Sequence, residues 1–259
     1  MYRWCAQITF DGSEFCGWQI QANQNSIQQN LQEVLSLLLN EKIEIVGCGR
    51  TDAGVHAFFY VFHFDTKNLV DVESLVYKAN RFLKQNIRVF DIQQVANNFH
   101  ARFDAKSREY KYFIALQKQV FFSKYSWFLP LNFDIDKLNK VSAILCEYSD
   151  FTSFSKLHSS AKTNICKVEK AVWEQKGDLL IFTIRADRFL WNMVRSIVGT
   201  LVEVAKGKLD KQGFIEIIEA KDRCKAGQSA PAQALFLNDV EYGLRNFVKN
   251  EKSFIKVCC

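Results

Sequence analysis

Polar and apolar residues alternate from Tyr2 to Phe10, with Tyr2, Trp4, Ala6, Ile8 and Phe10 on one face and Arg3, Gln7 and Thr9 on the other. That pattern predicts a half-buried strand. A turn-rich stretch from Asp11 to Asn25 follows, and then the period changes. Ser26 and Gln29 read as a capping box, and Ile27, Leu31, Val34, Leu35 and Leu38 recur at helical spacing, predicting an amphipathic helix from Ile27 to Leu39. Lys42 to Val46 reads as a short strand. Phe58 to Phe64 reads as a strand that is apolar or aromatic on both faces except at His63. Asp71 then caps a helix through Val72, Leu75, Val76, Ala79 and Leu83, and Ile87 to Val95 is another strand. The order is β-α-β-β-α-β.

The second part repeats it. Tyr110, Tyr112, Ile114 and Leu116 share one face of a strand, and a helix is expected from Asp136 to Cys146. Two strands, Val168 to Glu174 and Leu179 to Arg185, are joined at Lys-Gly-Asp. A long helix from Leu190 to Lys206 is ended by Gly207 at its C′ position. A short helix, Phe214 to Ala220, and a last strand, Leu235 to Val240, complete the pattern. Two such units in tandem predict an α+β protein of two ferredoxin-like (RRM-like) halves with mixed, mainly antiparallel sheets, residues 1–104 and 105–259. Nothing between them is rich in Gly or Pro, so the sheets are expected to be fused or tightly packed.

Composition narrows the class. Of 259 residues, 48% are hydrophobic and 24% charged, which excludes a disordered chain; 11 Gly and 2 Pro leave no low-complexity linker. The net charge of +6 conceals an asymmetry: up to Asp104 there are 9 Lys and Arg against 11 Asp and Glu, and beyond it 25 against 17. A one-sided basic half suits a phosphate backbone. The eight cysteines include no CxxC pair and no Cys/His cluster at zinc-ligand spacing, so no metal site is expected. The opening MYRWCAQITF carries no apolar signal segment, and apolar runs such as Val120 to Phe122 are too short to span a bilayer, which predicts the cytoplasm. Cys258 and Cys259 read as a frayed end.

The candidate chemistry lies in Gly47-Cys-Gly-Arg-Thr-Asp52-Ala-Gly-Val-His56-Ala57, a loop between two core strands. Glycines there permit tight turns and close approach by a ligand. An Asp beside Gly also serves as a turn or capping residue. Arg50, Asp52 and His56, however, crowd polar groups into a loop held by rigid elements, where functional groups concentrate. The phosphate-loop pattern GxxxxGK[ST] is absent. Thr51 and His56 read as structural, bonding within the loop.

The string GRTDAGVHA, followed by FHARF-x-A-x-S-R-E-Y at Phe99 to Tyr110, FTSF at Phe151 and FLWNMVRSIVGTLVEV at Phe189, resembles the bacterial tRNA pseudouridine synthase A family. The resemblance runs from Trp4 to Tyr242. It implies an enzyme that isomerises uridine to pseudouridine at positions 38, 39 and 40 in the anticodon arm of tRNA, without cofactor or metal, as a homodimer. By the same resemblance, Asp52 is the catalytic nucleophile, Arg195 its basic partner and Tyr110 the active-site tyrosine. The chemistry of each residue type agrees. An ionised carboxylate can attack C1′ of the ribose, attack C6 of the ring or take a proton from C2′. An arginine among Met193, Val194, Ile197, Val198, Leu201 and Val202 calls for a carboxylate, although it could also snorkel to solvent. Tyr110 is by pattern equally a core aromatic; as a planar ring it could hold a detached uracil by stacking. Arg50 could fill the gap when the nucleotide is flipped out. Arg102, Lys106, Arg108, Lys111, Lys162, Lys167, Lys170, Arg185 and Arg188, with Tyr and Phe interleaved, could track phosphates.

Two departures stand out. Where the family commonly has Thr-x-Val-Arg-x-Ile, this chain reads Thr163-Asn-Ile-Cys166-Lys-Val168, and Ala230-Pro-Ala-Gln-Ala234-Leu has Ala where Gly is usual. A non-catalytic RNA-binding module is the rival reading, with Phe58 to Phe64 as its aromatic strand. That strand lacks the module's Lys/Arg-Gly-Phe opening, and a pure binder has little use for Arg50, Asp52 and Arg195 together.

Overall fold

The computed structural model describes residues 1–156 and 162–243 of the chain, so Cys258 and Cys259 lie outside the described residues. It is a mixed α+β structure whose strands pair mostly antiparallel. The chain divides into two compact units, one taking Met1–Lys106 and the chain from Leu237, the other Ser107–Phe236.

In the first unit β1 (Tyr2–Phe10) lies between β3 (His56–Thr66) and β4 (Ile87–Val95), antiparallel to both. A short β2 (Ile45–Gly47) pairs with β3. The helices are α1 (Ile27–Leu39), packed on β2 and α2, and α2 (Val72–Phe82), packed on β4. Both begin where sequence places them: Ser26 Oγ accepts from the Gln29 N–H at 3.2 Å, and Asp71 Oδ1 from the Ser74 N–H at 3.2 Å. Only half of the capping box forms, because the Gln29 amide turns to Glu33.

One expectation fails at the centre of this unit. β1 is not half-buried: Cys5 and Gln7, on its polar face, are 2% and 1% exposed. Alternation reports one wet face only when nothing covers it, and here both faces are covered. The Gln7 amide has no hydrogen-bond partner among the described residues. The aromatic strand proposed as an RNA platform is likewise buried, from Phe58 through Phe64, and leaves no ring there for a base to stack on.

His63 is the polar exception on that strand. Its Nδ1 accepts the Ala101 N–H at 3.1 Å, and burial, with the Arg3 and His100 charges, pushes its pKa down to about 4. The unfolded imidazole takes a proton near 6.5, so between these values the unfolded state binds more protons. Stability is therefore full above pH 6.5 and falls as pH drops towards 4. Thermal melts at about pH 7 and pH 5 should show a lower Tm in acid, and His63→Asn, which keeps an acceptor near Nδ1, should shrink that difference. An unchanged difference would remove His63 from the acid response.

In the second unit β5 (Ala105–Ala115) pairs antiparallel with β8 (Leu179–Ala186), and β8 with β7 (Val168–Lys176). A two-residue strand that the pattern missed, β6 (Trp127–Phe128), runs parallel to β5. α3 (Ile135–Ser142) tightens into a 3₁₀ turn, Ala143–Cys146, where one helix to Cys146 was expected. α4 (Met193–Ala205) is followed by α5 (Lys211–Glu219), and β9 (Leu235–Tyr242), a neighbour of β3 in the sheet, is the last strand of the described chain. α4 starts three residues later than its apolar period suggests because Asn192 adopts a left-handed conformation, φ 66°. Gly207, φ 72°, ends it as expected.

α4 is buried on nearly all sides, and Gly199 shows why it must be small there. A Cβ on Gly199 would lie 1.8 Å from the Gln228 carbonyl oxygen. Gly199→Ala gains about 1 kcal/mol of helix propensity but forces backbone apart in a packed site, at a cost of up to about 3 kcal/mol. Urea unfolding should show a net loss of stability; a gain would mean that the 227–230 segment yields freely. None of the helices among the described residues is long and apolar enough to cross a membrane.

Candidate active site

The loop bearing Asp52 is held by the turn-rich segment before α1. The Trp18 N–H donates to the Thr51 carbonyl at 3.2 Å, and the Gly12 N–H to His56 Nδ1 at 3.0 Å. That nitrogen also lies 3.0 Å from Asp11 Oδ1, so the ring holds the end of the loop against the Asp11-Gly12 turn. Two glycines allow the close approach. A Cβ on Gly12 would stand 2.1 Å from the Val55 oxygen, and one on Gly17, φ 108°, would stand 2.3 Å from the Thr51 oxygen. Beneath the loop the Trp18 and Tyr60 rings stack at 4.1 Å, and Tyr60 donates its hydroxyl to the Gly49 carbonyl at 2.5 Å.

Within this clamp the side chains alternate. Arg50 is exposed, Thr51 is buried, and Asp52 is half-buried at the tip. The Val55 N–H bonds back to the Asp52 carbonyl at 3.2 Å across Gly54, whose φ of 76° suits the turn. The turn is thus closed by backbone. Sequence reasoning singled out Arg50, Asp52 and His56 but missed Gly12, Gly17, Trp18 and Tyr60, which shape the loop. The available signal was Gly12 and Gly17-Trp18 within an otherwise polar turn stretch.

The second unit carries the other candidates. Tyr112 and Ile114 on β5 are buried core residues, the Tyr112 hydroxyl donating to the Pro231 carbonyl at 2.9 Å, whereas Tyr110 on the same face is half-exposed. The Phe189 ring braces Tyr110 edge-on, at 5.1 Å and 89°. One face of a single strand therefore changes from buried to partly exposed along its length.

Arg195 is not mid-helix, as the longer prediction had it, but in the first turn of α4. Its Nε donates to the Ala230 carbonyl at 2.7 Å, and its own carbonyl accepts the Ala230 N–H at 2.9 Å. The Nε bond orients the guanidinium, and the backbone bond anchors the residue beneath it. Among the basic residues, Arg108 Nη1 donates to the Asp187 carbonyl at 2.8 Å and Arg185 pairs with Glu109 at 3.2 Å, so both have structural duties. Lys106, Lys162, Lys167 and Lys170 are exposed. Cys166, standing where arginine is usual, is buried with its thiol pushed up to about 12 by burial, and Lys167 beside it is exposed. Ala234 lies in a 3₁₀ turn without positive φ, so alanine fits there unstrained. No group of His, Cys, Asp and Glu suited to a metal ion occurs among the described residues.

A family model described as tRNA pseudouridine synthase matches residues 6–104 and 148–243. The match defines the class, an RNA-modifying isomerase. Chains named tRNA pseudouridine synthase A are similar throughout. That of Parabacteroides distasonis is 49% identical, the alignment covering 93% of this chain and 96% of the relative. That of Bacteroides thetaiotaomicron is 48% identical over 93% and 91%, and that of Clostridium acetobutylicum 35% over 91% and 97%. The chain belongs to the tRNA pseudouridine synthase family. Among solved structures, a CRISPR endoribonuclease, Cse3, bound to 19 nt RNA aligns at 9% identity over 77% of this chain and 90% of that one, with a TM-score of 0.21, too low to carry an argument.

Proposed function

We propose that the chain converts uridine to pseudouridine at positions 38, 39 and 40 of the tRNA anticodon arm, with Asp52 as nucleophile, and that it works in the cytoplasm as a homodimer. The observation that carries the catalytic reading is the half-exposed Asp52 at the tip of a loop whose neighbours Thr51, Val55 and His56 are buried. A reacting group must be held still and yet reach substrate. The succession β1-α1-β2-β3-α2-β4, with β1 between β3 and β4, supports reading the first unit as ferredoxin-like.

The reaction breaks the bond from N1 to C1′, turns the uracil and joins C5 to C1′. A proton leaves C5 and one is taken up at N1, so no electrons are transferred. Asp52 can act at C1′, at C6 or on the C2′ proton, three routes that share the need for an ionised carboxylate. Arg195 is proposed as the basic partner of that carboxylate. Tyr110, braced by Phe189, stacks on the flipped uracil, and the exposed Arg50 takes the place that the nucleotide vacates.

The test is release of tritium from C5 of uridine in unmodified tRNA, with the modified positions mapped in the product. Release confined to the anticodon arm is the expected result. Release from other arms overturns the positional reading, and no release from several tRNAs overturns the activity.

A further inference from the structure

Trp191 departs from the rule that large rings are buried. It is 50% exposed, whereas Trp4, Trp18 and Trp173 are 3% exposed or less. It stands in the turn that leads into α4, four positions before Arg195. The exposed Lys156 places its ammonium 3.8 Å from the centre of the ring, within cation–π range. The backbone beneath is fixed twice. The Lys156 N–H donates to the Trp191 carbonyl at 3.0 Å, and Asn192, in its left-handed conformation, donates from its side chain to Ser229 Oγ at 2.6 Å. An indole held out in water by this many ties is a prepared surface.

We propose that Trp191 and Lys156 form a stacking subsite for an unpaired base of the tRNA, with the lysine also serving the adjoining phosphate. The inference rests on the tRNA reading above and extends it to residues outside the catalytic group. Charge and shape select the occupant. The chain beyond Asp104 carries 25 Lys and Arg against 17 Asp and Glu, and a flat ring with a cation on one face offers a base its other face. Stacking of this kind tolerates any base, because each has a π-face.

Trp191→Ala, Trp191→Phe and Lys156→Ala would be compared with wild type for tRNA binding over a salt series and for steady-state pseudouridine formation. Trp191→Ala should raise both Kd and KM about tenfold with kcat within about twofold, and Trp191→Phe should recover most of the loss. Lys156→Ala should lower the slope of log Kd against log salt by about one. In wild type, tRNA should shield Trp191 fluorescence from acrylamide, and Trp191→Phe should abolish that shielding. This last measurement decides the matter should Trp191→Ala prove unstable. Unchanged Kd and KM in Trp191→Ala with full wild-type activity would overturn the subsite alone, as would a changed oligomeric state without a change in Kd. Absence of pseudouridine formation by wild type would strike instead at the proposed function.

Discussion

Asp52→Ala is expected to abolish tritium release from tRNA, lowering turnover by about a thousandfold or more, while tRNA affinity stays within a few-fold of wild type. In the role proposed above, the substitution removes the ionised carboxylate that all three routes need, so what remains is only binding and orientation. The fold should survive, since the loop is fastened through Gly12, Trp18, Thr51, Val55 and the Asp52 carbonyl rather than by burying the Asp52 side chain. Asp52→Asn sharpens the test. It keeps size and one acceptor oxygen and removes charge, so its inactivity, with an unaltered Tm, would assign the effect to the carboxylate. Wild-type turnover by either variant would exclude Asp52 from the chemistry.

Arg195→Met is expected to lose about 10²-fold or more in kcat with tRNA binding retained, because in the role proposed above the cation acts mainly in the transition state. Two effects are combined in that substitution: the charge disappears, and so does the bond from Nε to the Ala230 carbonyl. Arg195→Lys separates them. If charge is what matters, lysine should restore a large part of kcat despite losing the guanidinium fork; if the tie to Ala230 matters more, lysine should be as poor as methionine and both should lower Tm. Unchanged turnover in Arg195→Met would take the residue out of the mechanism.

Much of this protein was legible in advance, and the exceptions share a cause. α1, β1 and β4 begin and end where periodicity put them, because alternation and the 3.6-residue repeat are local properties. The loop of Asp52 was legible too, since its glycines and polar residues stand together in sequence. What fastens that loop was not. Gly12 and His56 meet across 44 residues, and nothing in the composition of either neighbourhood announces the other. The left-handed Asn192 that sets the start of α4, and the Gln228 carbonyl that forbids a side chain at Gly199, are likewise facts of packing.

The amino-acid sequence by itself determined the longer helices and strands, their order, the basic bias beyond Asp104 and the family, because each is carried by local pattern or by long ordered motifs. Tertiary structure decided which polar positions would be dry and which aromatic ones wet. Cys5 and Gln7 lie buried on a strand face that alternation assigned to water, and Trp191 stands exposed two residues before the buried start of α4. The physical reason is that burial belongs to whatever covers a residue, and the cover comes from chain that is distant in sequence.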